Sequence, residues 1–201
     1  MSENANEILS RIAVASLQKC TEKLSRVSAG VWNIAGANVT METLDTVMKR
    51  YSADDGESAA VYFDVKGELP FIAILLFDPR DMDRISRCFL GYSFAPSPAI
   101  NQASELLLSE LGNIILNSFV SALSNALKMV FLPSVPRFVH GVPRDLLEAM
   151  GVSIDLKQGY RSICVKLNIN CDNKVTWSEV VGLIPEKLAQ EIIRVEKDKE
   201  P

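Results

Sequence analysis

Histidine and paired cysteines are scarce in this 201-residue sequence. A single histidine, His140, excludes a zinc site or any other centre built on several histidines, and we expect it to be a loop or surface residue. The four cysteines, Cys20, Cys88, Cys164 and Cys171, form no CxxC pair. We therefore expect reduced thiols, with Cys20 and Cys88 acting as small buried apolar residues.

Positive charge and long apolar runs are also lacking. A formal net charge of -4 argues against a nucleic-acid binder, because phosphate backbones require clustered Lys and Arg. The longest clean apolar run, 71–77, is far shorter than the ~20 residues of a membrane helix. Residues 1–7 are polar and do not resemble a signal peptide. We expect a cytoplasmic protein that binds another protein or a small ligand, and neither nucleic acid nor a membrane.

What the sequence does have is a large apolar fraction, 48%, arranged in regular patterns. The first half predicts a helix at 7–27, a strand at 30–39, a short helix with Thr40 as its N-cap, strands at 59–65 and 70–77 around a turn at 66–69, and a helix from 78 to about 90. The second half predicts a helix at 100–128, an extended segment at 129–139, a short helix at 143–150, strands at 161–169 and 174–183, and a helix from Pro185 to about Arg194.

The same order of elements occurs in both halves, which indicates an internal duplication. We predict one domain over residues 1–201, with pseudo-repeats at about 6–91 and 100–196. The expected fold class is α+β, with an antiparallel sheet shared by the two halves and the two long helices packed on one face.

The helix at 100–128 has two contrasting sides when it is drawn at helical spacing. The apolar side, expected to pack on the sheet, holds Leu108, Gly112, Ile115, Phe119, Leu123 and Ala126. The opposite side is lined by Leu106, Glu110, Asn113, Asn117, Ser121, Ser124 and Lys128.

Glu110 and Asn113 are three residues apart, so their side chains are neighbours on this second side. An ordinary solvated helix surface would carry Lys and Glu, whereas this one offers Asn and Ser. Asn is unfavourable inside a helix because its amide competes with the backbone. The pattern therefore favours docking against another protein, with a plain solvated surface as the alternative.

At this helix the sequence resembles the CheC/CheX/FliY family of bacterial chemotaxis phosphatases. The family signature is Asp or Ser, three residues, Glu, two residues, Asn, twenty-two residues and Pro. Glu110, Asn113 and Pro136 stand at the Glu, Asn and Pro positions. Leu106 departs from the pattern, since it occupies the position of the Asp or Ser.

The resemblance implies a hydrolase that removes the aspartyl phosphate from a CheY-like receiver domain. Asn113 would orient the attacking water and Glu110 would bind the receiver's lysine, while Asn117, Leu106 and Pro136 would contact the partner. The Mg²⁺ of the reaction belongs to the receiver, so this chain needs no metal or cofactor of its own.

The first half of the chain lacks the signature. When Leu24-Ser25 is aligned with Leu123-Ser124, Arg11, Val14 and Ala37 fall at the positions of Glu, Asn and Pro. Some CheC members keep two active sites. The resemblance therefore implies one site here, with the first helix serving a structural role.

Two alternatives stay open. The chain could be a binding module without turnover, holding either a phosphorylated receiver or a CheD-like deamidase. It could also be a flagellar switch component like FliY, although the additional modules expected of FliY are not evident in the sequence. Both oligomeric states, monomer and homodimer, are compatible with the family.

Overall fold

The computed structural model describes residues 3–51, 58–78, 80–91, 102–151, 160–171 and 174–197. These ranges hold six helices and seven strands. The helices are α1 (Glu3–Val27), α2 (Leu44–Tyr51), α3 (Met82–Leu90), α4 (Gln102–Leu127), α5 (Pro143–Gly151) and α6 (Glu186–Lys197). The strands are β1 (Trp32–Thr43), β2 (Ser58–Gly67), β3 (Phe71–Phe77), β4 (Phe131–Pro133), β5 (Arg137–Gly141), β6 (Tyr160–Cys171) and β7 (Lys174–Pro185).

The strands form one sheet in the order β1-β6-β7-β3-β2-β4, and β5 pairs with β2 beside β4. Every pairing is antiparallel. The hairpins β2–β3 and β6–β7 lie side by side through β3 and β7. Strand β1 pairs with β6, and β4 and β5 pair with β2, so each half is hydrogen-bonded to the other. The predicted α+β fold with a shared antiparallel sheet is confirmed.

The strand order also has a symmetry. With β4 left aside, the order is β1-β6-β7-β3-β2-β5. Exchanging β1, β2 and β3 with β5, β6 and β7, respectively, gives the same order read from the other end. The short helices α2 and α5 occupy equivalent places in the two series. This arrangement is compatible with the internal duplication, which itself stays a prediction.

Helices cover both faces of the sheet, so there are two cores. The larger core joins α1, α3, α4 and α6 to one face, and the smaller core joins α2 and α5 to the other. All seven residues of the central strand β3 are buried, as expected for a strand covered on both faces. The two long helices α1 and α4 do lie on one face, as predicted.

Helix α4 is long and apolar enough to span a membrane, judged by length and composition alone. Its apolar side chains, however, contact α1, β2 and β3 in the larger core. The sequence shows no uninterrupted apolar run in this helix, because Glu110, Asn113 and Asn117 stand among its apolar residues. The contacts identify α4 as a core helix of the folded protein.

The start of α2 differs from the prediction. Thr40 was expected to cap this helix, but β1 continues through Thr40 to Thr43 because each residue of that stretch pairs with β6. The cap is Thr43, whose Oγ1 accepts a hydrogen bond from the backbone N–H of Thr46 at 3.2 Å. The long pairing with β6 could not be read from local sequence.

The segment predicted as one extended stretch at 129–139 is divided. It forms β4 and β5, which pair with different parts of β2 and are separated at 134–136. Pro133 and Pro136 lack the backbone N–H that a continuous ladder requires. The polar residues 52–57 and the stretch 92–98, which contains two prolines, are predicted from composition to be a loop and a linker. Both lie outside the described residues.

The prediction of four reduced cysteines is wrong for Cys88, which is disulfide-bonded. Cys20 and Cys164 are free and buried, as expected of small apolar residues. Pairing depends on how close two cysteines lie in the folded chain, which their sequence spacing does not reveal.

The two free thiols should be unreactive in the native protein. Burial raises the pKa of Cys20 to about 12 and that of Cys164 to about 12, so almost no thiolate is present at about pH 8. We expect Ellman's reagent to label neither thiol in the native protein and to label both promptly in denaturant. Fast labelling without denaturant would contradict the buried placement.

Candidate functional site

The predicted site lies on the side of α4 that faces away from the sheet. Glu110 is exposed and Asn113 is half-buried. Leu111 and Gly112, between them in sequence, are buried against the core. The side chains of Glu110 and Asn113 therefore emerge together from a helix that is fixed on its other side.

The buried side of α4 is wider than predicted. Leu107, Leu111, Leu116 and Val120 are buried in addition to the expected residues, because α4 packs against α1 as well as the sheet. Ala126, which was expected to pack on the sheet, is only half-buried. The polar side is correspondingly narrow, so its few side chains are close neighbours.

Gly112 brings α4 unusually close to β2. A Cβ atom at this position would lie 2.5 Å from Cβ, 2.6 Å from Cγ1 and 2.8 Å from Cγ2 of Val61. Real Cβ atoms do not approach other atoms so closely, so only glycine fits here. The close contact sets the depth of the helix turn that carries Glu110 and Asn113.

Asn117 holds the side chain of Asn113. Its Nδ2 donates to the Oδ1 of Asn113 at 2.6 Å and to the backbone carbonyl of Asn113 at 2.9 Å. Sequence spacing placed both residues on one side but did not predict this contact. No described residue accepts a hydrogen bond from the Nδ2 of Asn113, and none forms an ion pair with Glu110.

Large apolar side chains are exposed on α4 and around β4. Leu106 lies one turn before Glu110 and is 67% exposed. Val130, Leu132 and Val135, in and around β4, are also exposed, and α4 contacts β4. Sequence analysis missed the last three because an extended segment shows its outward side only when its pairing is known.

Pro136 is half-buried in the connection between β4 and β5. This connection is tied to β2: Ser134 N–H donates to the carbonyl of Asp64 at 2.8 Å, and the N–H of Asp64 donates to Ser134 Oγ at 3.2 Å. Arg137 forms an ion pair with the carboxylate of Asp64. The proline therefore stands in a segment that is anchored on both sides.

The C-terminal part of the predicted polar side has a different role. Ser124 Oγ donates to the carbonyl of Met129, whose N–H donates to the carbonyl of Ser124 at 3.1 Å. Lys128, with φ of 54°, stands just past the helix in the left-handed conformation that ends many helices. Ser124 and Lys128 therefore belong to the C-terminal end of α4. Between Asn117 and Ser124, only Ser121 is fully exposed.

The corresponding positions in the first half carry no such chemistry. Arg11 and Val14 are exposed on α1, and Ala37 is half-buried in β1. The opposite side of α1 is buried through Leu9, Ala13, Leu17, Cys20 and Leu24. Of the two long helices, only α4 therefore presents an amide and a carboxylate at these positions.

His140 is exposed on β5 and pairs in register with Ala59, in agreement with the expected surface location. Among the described residues, no group of three or more His, Cys, Asp or Glu side chains could hold a metal.

A second polar cluster, missed by sequence analysis, lies on the other face of the sheet. Arg50 donates to the carboxylates of Glu42 and Glu179, and the Tyr51 hydroxyl donates to Glu179. Burial and the adjacent Glu179 carboxylate raise the pKa of Tyr51. The cluster borders a cavity of about 390 Å³ that Trp177 also lines. Its mutual pairing indicates a structural ion network.

One segment of the chain, in α4 and the strands after it, matches the sequence model of a known family. The sequence model of the CheC-like family matches residues 107–140, the segment that holds Glu110, Asn113 and Pro136. No curated protein matches the sequence. The chain is therefore similar to the CheC-like family over this segment.

Solved structures share the fold of this chain at low sequence identity. Thermotoga maritima FliY has a TM-score of 0.75 at 14% identity, covering 100% of this chain and 99% of that chain. The FliM middle domain from H. pylori has a TM-score of 0.64 at 13% identity, covering 97% and 99%. CheX from Desulfovibrio desulfuricans has a TM-score of 0.51 at 14% identity, covering 87% and 99%.

The CheC-like family includes phosphatases of phosphorylated CheY, namely CheX and CheC, whereas the FliM-like neighbours are non-enzymatic. Similar folds therefore occur with and without turnover. Whether a protein with this fold is an enzyme depends on its side chains. The functional proposal therefore rests on the geometry around Asn113.

Gly112→Ala should destabilise the protein. Overpacking against Val61 costs about 1–3 kcal/mol, which exceeds the roughly 1 kcal/mol that Ala gains over Gly in a helix. We expect a lower urea-unfolding midpoint for this variant. The matched control is Gly182→Ala, whose Cβ would meet its nearest neighbour, Phe119, at an ordinary 3.8 Å. An unchanged midpoint for Gly112→Ala would show that α4 can shift without cost.

Proposed function

We propose that this chain hydrolyses the aspartyl phosphate of a CheY-like receiver domain. The observation that carries the proposal is the Asn113 amide, fixed by Asn117 beside the exposed carboxylate of Glu110 on a helix anchored in the core. The pair lies inside the segment that matches the CheC-like family. As a soluble signalling enzyme it would act in the cytoplasm.

The reaction transfers the phosphoryl group from aspartate to water. The water oxygen forms a bond to phosphorus, the bond between phosphorus and the aspartyl oxygen breaks, and the proton of the water ends on the released phosphate. The receiver supplies the Mg²⁺ that balances charge, so the proposal requires no metal on this chain.

Asn113 would position the attacking water. A carbonyl oxygen has two lone pairs, so Oδ1 can accept from water while it accepts from Asn117, and Nδ2 keeps both of its hydrogens. An amide does not titrate near neutral pH and is too weak a base to remove the proton. Its contribution is therefore orientation of the water in line with phosphorus.

Glu110 would bind the lysine of the receiver. The carboxylate is exposed, and its neighbour three residues on is Asn113, so one docked lysine would fix the position of the partner relative to the amide. A charge-assisted hydrogen bond at an interface from which water is excluded is stronger than one in open solvent.

The exposed apolar side chains supply contact area around the pair. Leu106 lies on α4, while Val130, Leu132 and Val135 lie in and around the adjacent β4. Apolar side chains grouped around a few polar anchors are typical of a protein interface. Leu106 would add apolar contact where other family members have a polar side chain.

Asn113→Ala should remove most of the acceleration. We expect the enzyme-dependent decay rate of a ³²P-labelled receiver to fall roughly a hundredfold, equivalent to about 3 kcal/mol of barrier. The control is Asn125→Ala, the same substitution at an exposed position on the same helix. Equal decay rates for wild type and Asn113→Ala would contradict the proposal.

Glu110→Gln should weaken docking more than turnover. Loss of a charge-assisted hydrogen bond worth about 1.5–3 kcal/mol predicts at least a tenfold rise in the half-saturating concentration of receiver. The difference from wild type should shrink at high salt, where the charge is screened. Glu105→Gln, an exposed acid in the first turn of α4, is the matched control. If Glu110→Gln keeps the half-saturating concentration of wild type, Glu110 does not bind the receiver.

A binding module without turnover is the second candidate. It is favoured by Leu106 at the signature's Asp or Ser position and by the similarity to the non-enzymatic FliM middle domain. It predicts a complex that forms only with phosphorylated receiver and leaves the decay rate unchanged. Sedimentation of the chain alone, with receiver and with a CheD-like deamidase would measure this binding and distinguish monomer from homodimer.

A further inference from the structure

We propose that Asn117 is a positioning residue that holds the Asn113 amide in a single orientation before the partner arrives. This inference rests on the proposed phosphatase function and refines it. It assigns to Asn117 a role inside the protein, in place of the direct contact with the partner that the family resemblance suggests.

The geometry uses the donor capacity of Asn117 completely. Its Nδ2 carries two hydrogens, and Asn113 receives both: one at Oδ1, 2.6 Å away, and one at the backbone carbonyl, 2.9 Å away. Asn117 consequently has no side-chain N–H left for a partner. The same contact determines which end of the Asn113 amide faces along the helix and which end faces outward.

The support for this contact is rigid. Asn117 lies between Leu116 and Ser118, both buried, and the Ser118 hydroxyl donates to the carbonyl of Ile114 at 2.7 Å. One turn earlier, Gly112 is pressed against Val61. Core packing therefore holds the backbone at both asparagines, and the hydrogen bond between them restricts the side-chain rotamer of Asn113.

The expected size of the effect follows from the freedom that Asn113 would regain. Without Asn117 its side chain could occupy up to three staggered χ1 wells, and its amide could take two orientations. If one combination is productive, the maximal rate should fall about 3- to 6-fold. Binding of the receiver should be unaffected, since Glu110 and the exposed apolar side chains of α4 and β4 are unchanged.

The test is single-turnover decay of ³²P-labelled receiver measured over a range of excess chain. For Asn117→Ala we expect the maximal rate to fall. The half-saturating concentration of receiver should stay within about twofold of wild type, because the loss of a direct contact with the receiver would change it by more than that. Asn117→Gln retains the donor at helical spacing and should recover most of the rate. Asn125→Ala should behave as wild type.

Other outcomes distinguish the positioning role of Asn117 from the proposed phosphatase function. A raised half-saturating concentration with an unchanged maximal rate for Asn117→Ala would overturn positioning and assign Asn117 to the interface. If wild type itself gives no acceleration, the phosphatase proposal fails, and the positioning claim is then decided on the free protein. Three-bond couplings in NMR should report one χ1 rotamer for Asn113 in wild type and several in Asn117→Ala. Rotamer averaging in wild type would overturn the claim.

Discussion

The close approach of α4 to β2 at Gly112 is the constraint on which the rest of the site depends. Because Gly112 has no side chain, the helix lies directly on Val61, inside strand β2 of the shared sheet. Large apolar residues before and after this point are then buried against the sheet and α1. The helix is held along its length, and only a narrow polar strip stays outside.

That strip does not resemble an ordinary helix surface. It pairs two asparagines by hydrogen bonds and leaves one carboxylate without an ion pair among the described residues. Asparagine weakens an isolated helix, but the packing of α4 stabilises the helix regardless of this preference. The fold can therefore place an amide where a water-positioning reaction would need it, and hold it there.

The two halves of the chain differ at the candidate site, although both supply strands to the sheet. Each long helix buries an apolar side in the same core, and the strand order is symmetric under exchange of the halves. On α1, however, Arg11 and Val14 stand where α4 has Glu110 and Asn113. Core packing constrains the inner side of both helices, whereas exposed positions such as Glu110 and Arg11 on the outer side can differ.

The sequence by itself determined the elements, the fold class and the position of Glu110 and Asn113, because helical and strand periodicity are local properties. It also placed the exposed Leu106 beside the pair. It did not determine the end of β1 at Thr43, the division of β4 from β5, or the disulfide bond of Cys88, since these depend on partners far along the chain. The hydrogen bonds from Asn117 to Asn113 and the contact of Gly112 with Val61 were likewise decided by tertiary structure. Spacing shows which side chains share a face, but only packing fixes the rotamers and the helix depth on which those two contacts depend.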